Sequence, residues 1–412
     1  MRVLIFLLDC LQGSSALLRF LKTGPVRAAG FKRGAWRPRD REASKAGTVW
    51  FHAASLGELE MVRPLIDDLL SEGRTVGVSV FSESGLSGLR DLRGLCVYAG
   101  LSPRESEWGP MFDFFRVEKV ILSKYDFWPG LIEAAASRSI RFDVVNARPG
   151  RSLGWTRWML WTRRIFRISG RSMPRFRLFC NPGVDSRELS RMLPGAEVAG
   201  GVDPRWERVA RRIEAFAGGL TPKVDRVRFW ADQWRGLPGP KVLVGSAWLS
   251  DLDRILPAFS GVTGTLIVAP HRLDDAHLEP MRARLEQFLP GRFVLVKEMG
   301  ILTELYAALH STQTAHEPAV NRAVVGGGFG EGIHSTIEPA ASGLPVACGP
   351  RRVGDFSEAL DLRKRGVLTV CETSGDFRRW LLEPSLPVSD SNWIAGQRAL
   401  YRTLLEDCRR IR

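Results

Sequence analysis

From Thr48 onward the chain alternates short β-rich runs with helix-compatible stretches, and the rhythm starts afresh at Lys241. Strands separated by helical crossovers run parallel, and a parallel sheet must be covered on both faces, so this alternation predicts doubly wound α/β domains. Candidate strands are residues 48–52, 75–81, 119–124 and 142–146, then 241–245, 264–270, 292–297, 323–328, 345–349 and 367–371. A polar, helix-compatible stretch over 202–239 separates the two series and ends in Gly236-Leu-Pro-Gly-Pro240. Two Rossmann-like parallel-sheet domains joined there are expected, with a ligand in an interdomain cleft at the carboxyl ends of both sheets. No internal repeat or low-complexity segment interrupts the plan.

Composition narrows the function class. With 44% hydrophobic and 25% charged residues, the chain has ordinary globular chemistry, which excludes disorder. Its net charge of +14 exceeds what solubility needs and calls for an anionic partner: nucleic acid, anionic lipid, or a phosphorylated or carboxylated substrate. No nucleic-acid fold signature accompanies the charge, so no nucleic-acid partner is expected. The six cysteines stand singly, without CxxC pairs or the density of a disulfide scaffold, and read as free thiols in a reducing compartment.

Two segments have the chemistry of a membrane surface. Val3-Leu-Ile-Phe-Leu-Leu8 is broken by Asp9 and Gln12-Gly-Ser-Ser15 and resumes at Ala16-Leu-Leu-Arg-Phe-Leu21, too interrupted for a clean span. Lys22, Arg27, Lys32, Arg33, Arg37, Arg39 and Arg41 follow it. This reads as a monotopic or marginally inserted anchor, with a helix packed on the protein itself as the alternative. Residues 148–184 hold nine arginines and no Asp or Glu, interleaved with Trp155, Trp158, Trp161, Ile165 and Phe166 at roughly helical spacing. Indole and guanidinium together suit phospholipid headgroups or a phosphorylated glycolipid, and equally a core helix with a solvated basic face.

Two motifs carry chemistry. His52-Ala-Ala-Ser-Leu-Gly-Glu58 lies between the first candidate strand and a helix. Its glycine is expected to allow a tight turn, leaving Glu58 at a helix N-terminus that keeps it ionised and able to take a proton from a hydroxyl. Spacing alone favours the plainer reading, in which Glu58 only complements the helix dipole. Val325-Gly-Gly-Gly-Phe-Gly-Glu-Gly-Ile-His-Ser-Thr-Ile-Glu338 is again strand, glycine loop and helix. A helix beginning near Ile333 would offer N–H groups to a phosphate, with Glu338 one turn in and placed to accept ribose hydroxyls. A sharp turn with a solvent-facing Glu is the alternative.

Taken together, several strings resemble the Kdo (3-deoxy-D-manno-oct-2-ulosonic acid) transferases. They are His52–Glu58, Phe81-Ser-Glu-Ser-Gly85, Lys124-Tyr-Asp-Phe-Trp128, Asn146-Ala-Arg148, Gly245-Ser-Ala-Trp248, Ala269-Pro-His271, Met299-Gly-Ile-Leu-Thr-Glu-Leu-Tyr306, the block from Gly326 to Pro339, Gly343-Leu-Pro-Val346 and Gly349-Pro350. The resemblance implies a GT-B fold, a glycosyltransferase at the cytoplasmic face of the cell inner membrane, and transfer of Kdo from CMP-Kdo to the lipid A precursor. It further implies inversion, no metal and no other cofactor, and anionic inner-membrane lipid as a partner. Glu58 falls on the family's general base. His271, Gly326, Gly327, Gly332, Ile333, His334 and Glu338 fall on the donor-nucleotide site. Ser55, Gly57, Lys124, Arg148 and Arg205 are further candidate contacts to phosphate or acceptor. The division implied is an anchor over 1–30, an acceptor domain over 31–210, a donor domain over 211–390, and a C-terminal helix over 391–412 that packs back on the first domain.

The sequence departs from the family at Lys124, where many members have Glu, and at Ser335, where Asn is usual. It departs also at Ser246-Ala-Trp248, and at Gly200–Glu207, where Arg205 is expected to replace a cation facing the donor phosphate. Two rival readings remain open: a transferase or epimerase using a UDP-sugar, and an inactive membrane-bound lipid A-binding homologue.

Overall fold

The computed structural model describes residues 47–410, apart from 81–82, 90–91, 93–94, 99–104, 125–128, 149–163, 165–166, 168–172, 183–185, 238, 312–320 and 384–390. The anchor expected over 1–30 and Trp155, Trp158 and Trp161 therefore lie outside the described residues. Among the described residues no helix is long and apolar enough to cross a membrane.

The chain forms two compact units, one up to Arg205 and rejoined by Gln397–Arg412, the other Trp206–Gly396. The first unit is built on a parallel sheet of seven strands: β1 (Thr48–Ala53), β2 (Thr75–Val80), β3 (Leu95–Tyr98), β4 (Val117–Ser123), β5 (Arg141–Ala147), β6 (Phe176–Cys180) and β7 (Glu197–Ala199). Their order across the sheet is β3-β2-β1-β4-β5-β6-β7. The reversal lies between β1 and β4, the place in a doubly wound sheet where strand ends open a crevice for a ligand. Apolar clusters cover both faces. Trp50, Trp108, Phe112, Phe115 and Phe142 fill one side, and Phe51, Leu59, Leu65, Ile66 and Val78 fill the other. β1 reads Thr-Val-Trp-Phe-His-Ala and is buried along its whole length, as a central parallel strand must be.

Three strands escape the sequence reading: β3, β6 and β7. The basic segment 148–184 is consequently not helical throughout, because its Phe176–Cys180 stretch is β6, bonded between β5 and β7. Its alternating Arg and apolar residues fit a half-buried strand as well as a helix.

The helix Ser391–Arg409 places Tyr401, Leu404, Leu405 and Cys408 in the Phe51–Leu65 cluster of this unit. Tyr401 donates its hydroxyl to Asp68 at 2.7 Å. Below it Lys119, wholly buried, pairs with Asp143 at 3.3 Å and donates to the backbone carbonyl of Asp407, while Arg177 pairs with the Asp407 carboxylate. Charges this deep persist only when so satisfied, and removing one partner would strand the others.

The second unit repeats the plan with six strands: β8 (Lys241–Ala247), β9 (Thr265–Pro270), β10 (Phe293–Leu295), β11 (Arg322–Val325), β12 (Val346–Cys348) and β13 (Leu368–Val370). Their order is β10-β9-β8-β11-β12-β13, all parallel, with the reversal between β8 and β11. The helices Arg205–Ala217 and Val224–Arg235 precede β8.

Candidate active site

In the first unit the site begins where β1 ends. Ser55 is the N-cap of the helix Leu56–Ser71, and Glu58 occupies its third position in a capping box. Glu58 Oε2 accepts the backbone N–H of Ala54 at 2.8 Å and of Ser55 at 3.1 Å. The backbone carbonyl of Glu58 accepts the Ser123 hydroxyl at 3.2 Å, which ties the helix start to the end of β4 across the switch point. Lys124 follows Ser123 in a left-handed conformation with φ 67°. Burial raises the Glu58 pKa, opposed by the Lys124 charge and by the two backbone N–H groups. Against the expectation that the helix N-terminus keeps Glu58 ionised, only 7% of the residue is exposed, and lost hydration outweighs the Lys124 charge and the hydrogen bonds that favour its charged form.

Gly57 also differs from expectation. It is helical, its φ is not positive, and a Cβ there would meet nothing within 4 Å, so no turn requires it. It is exposed beside the buried Glu58. His52, at the end of β1, is wholly buried with its pKa lowered to about 4 by burial. Its Nδ1 lies 2.9 Å from the Ser79 hydroxyl, which accepts Trp50 Nε1–H at 3.0 Å, and its ring stands edge-on to Trp108 at 5.5 Å. His52 is thus a neutral part of the support beneath the Glu58 turn. Arg205 is paired with Asp203, from Nε to Oδ1 at 3.0 Å and from Nη2 to Oδ2 at 2.5 Å. Arg148 lies past the end of β5 and is half-buried.

In the second unit three strand ends converge. Trp248 follows β8, His271 follows β9, and His334 lies in the loop after β11. Their rings stack: Trp248 on His271 at 4.7 Å and 24°, and His271 on His334 at 4.6 Å and 25°. Burial and the neighbouring His271 lower the His334 pKa to about 4, and burial with Arg272 and His277 lowers that of His271. Both imidazoles are therefore neutral near pH 7, able to donate one N–H each without carrying charge.

The glycines of the loop are explained first by the protein's own backbone. A Cβ at Gly326 would sit 2.4 Å from the Ser246 carbonyl oxygen, and at Gly327, with φ +87°, 2.2 Å from that of Gly332. Gly332 is buried and Ile333 packs into the core of this unit. No helix begins at Ile333. The helix is Ile337–Ala341, five residues, so Glu338 lies in its first turn rather than one turn in, and the helix is too short to carry the dipole argument. What remains is local chemistry. Glu338 is half-buried and its Oε2 has no hydrogen-bond partner, and neither has the buried Thr336 hydroxyl. Tyr306, wholly buried, lies near enough for the Glu338 charge to raise its pKa, although burial is the larger cause.

Sequence reasoning missed Asp251. Its carboxylate accepts the N–H groups of Trp248 at 2.9 Å, Gly327 at 2.7 Å and Phe329 at 3.3 Å. An Asp at the third position of a helix following a strand was the available signal. Among the described residues no three His, Cys, Asp or Glu side chains converge as a metal site.

Comparison with known proteins follows the same lines. Residues 29–179 match the model of a family described as 3-deoxy-D-manno-octulosonic-acid transferase (kdotransferase). The chain is 25% identical to the 3-deoxy-D-manno-octulosonic acid transferase of Aquifex aeolicus over 362 residues, 82% of this chain and 86% of the relative. It is 28% identical to the Bordetella pertussis protein of the same description over 127 residues, 27% of this chain and 29% of that one. Among solved structures it resembles UDP-GlcNAc 2-epimerase from Methanocaldococcus jannaschii, with a TM-score of 0.57 at 11% identity, covering 87% of this chain and 99% of that one. It also resembles MurG from Acinetobacter baumannii, with 0.53 at 13% identity, covering 88% and 99%. At such identities the structural likeness speaks for the fold alone, which is the GT-B arrangement of two Rossmann-like domains.

Proposed function

We propose that the chain, which is similar to the Kdo transferases, is a glycosyltransferase that moves Kdo from CMP-Kdo onto the lipid A precursor. The acceptor is assigned to the first unit and the donor nucleotide to the second. The reaction is a direct displacement with inversion. A glucosamine hydroxyl of the acceptor attacks C2 of Kdo, Glu58 takes the hydroxyl proton, and the bond from C2 to the phosphate oxygen breaks as CMP leaves. No metal is assigned to it. On the donor side, Glu338 is proposed to accept ribose hydroxyls, and the His271 and His334 N–H groups, with the loop of Gly326, Gly327, Gly332 and Ile333, to meet the phosphate. Ser55, Gly57, Lys124 and Arg148 border the acceptor in this reading. The N-terminal segment and the arginine-tryptophan segment would hold the enzyme at the cytoplasmic face of the inner membrane, against anionic lipid.

The observation that carries this reading is Glu58. It is a buried carboxylate at the switch point of a parallel sheet, oriented by two backbone N–H groups, with its pKa raised toward the range where a carboxylate takes protons effectively. The test is incubation of purified protein with CMP-Kdo, generated in situ, and a tetra-acylated lipid A precursor, followed by mass measurement. A product heavier by one or more Kdo units is expected. No mass gain, or transfer from a UDP-sugar instead, would overturn the reading. Thermal stabilisation by CMP but not by UDP would separate it further from a UDP-sugar enzyme.

A further inference from the structure

Asp251 is 2% exposed, and a carboxylate so buried is costly unless its acceptor capacity is filled. It is filled by backbone N–H groups from two places 76 residues or more apart in sequence: Trp248, in the turn after β8, and Gly327 with Phe329, in the glycine loop after β11. Those places carry the two rings that pack on His271: Trp248, and His334, which the loop leads into. The Trp248 indole N–H also reaches His334 Nε2 at 3.5 Å.

We infer that Asp251 is a positioning residue, a single carboxylate that fixes the β8 turn and the glycine loop relative to each other and so sets the Trp248–His271–His334 stack before the donor binds. Burial raises the Asp251 pKa, and the N–H groups of Gly327, Trp248 and Phe329 oppose it by favouring the charged form. Oδ2 accepts from Trp248 and Gly327 while Oδ1 accepts from Phe329, so both oxygens must be acceptors. A carboxamide would turn an N–H2 group toward at least one backbone N–H, donor against donor. Binding is tightest when the site is already in its bound arrangement, so a loosened loop lowers donor affinity even though Asp251 touches no ligand. The ligand half of the inference rests on the donor assignment above, and the test therefore has one readout that needs no ligand.

The experiment is Asp251→Asn with 15N-labelled histidine, following imidazole signals through a pH titration. In the wild type His334 is held down to about 4. In the variant the signals of His334 and His271 should shift and titrate closer to the ordinary histidine value, while His310, on the helix Leu302–Ser311, stays put as an internal control. CMP affinity should fall about tenfold or more. General destabilisation would not single out these two rings. If Asp251→Asn does not fold, Asp251→Glu keeps both acceptor oxygens but carries them one methylene further, and should show the same selective shift. A folded variant whose His271 and His334 titrate as in the wild type overturns the clamp. Failure of CMP to bind the wild type would instead overturn the donor assignment, leaving the imidazole result to judge the clamp.

Discussion

Replacing Glu58 by Gln separates its two roles, since the amide keeps the size and one acceptor oxygen but cannot take a proton. In the wild type Oε2 accepts from Ala54 and Ser55 at 2.8 and 3.1 Å, and the Gln carbonyl can keep both bonds, so the helix start should survive. Turnover should fall by about 10²–10⁴-fold, the range for losing a positioned base, or roughly 3–5 kcal/mol of barrier. Stability should move the other way. Burial raises the Glu58 pKa in the folded state, so the folded chain holds that proton more tightly than the unfolded chain does. Stability from this group is therefore fully present below the unfolded pKa, about 4.3, and lost as pH rises through the higher folded value. At neutral pH the ionised carboxylate costs stability and a Gln does not. The variant should be the more stable protein at pH 7.5, by about 0.5–2 kcal/mol as is common when a strained functional group is removed, with the gap closing toward pH 4. Transfer assays and urea denaturation at both pH values measure the two effects. Turnover within a few-fold of wild type would show that Glu58 only starts a helix. A wild type more stable than the variant at pH 7.5 would refute the burial argument.

Glu338→Ala should weaken CMP binding by about 1.5–3 kcal/mol, the size of charge-assisted hydrogen bonds, and a calorimetric titration unchanged by it would move the ribose elsewhere. Gly57→Ala should stabilise the fold by about 0.5–1 kcal/mol, because helix propensity improves and the added methyl meets nothing within 4 Å. If the open space over Gly57 receives the acceptor, the same change should raise acceptor KM several-fold and leave CMP affinity alone; equal KM values would show the space to be unused. Replacing Trp155, Trp158 and Trp161 by Ala should lower binding to anionic vesicles, and high salt should lower it further through screening. Equal binding to neutral and anionic vesicles would count against the electrostatic part of that contact.

The sequence by itself determined the two-sheet plan, because hydrophobic runs and helical crossovers are local signals and each long central strand, such as β1 or β8, advertises itself in six or seven residues. It also located Glu58 and the glycine loop, since both sit where a strand passes into a helix. Short strands were another matter. β7 has three residues and β6 has five, with Arg177 flanked by apolar residues, patterns that helix and strand share. Tertiary structure decided the chemistry of the sites. A parallel sheet brings strand ends together whatever their distance along the chain, which is how residues 248, 271 and 334 become one stack and how Asp251 reaches Gly327. Burial is likewise a property of the packed whole: the motif alone placed Glu58 at a favourable dipole end, yet hydration lost under the surrounding structure governs its proton. Packing likewise explains Gly326 and Gly327, where a Cβ would meet the backbones of Ser246 and Gly332.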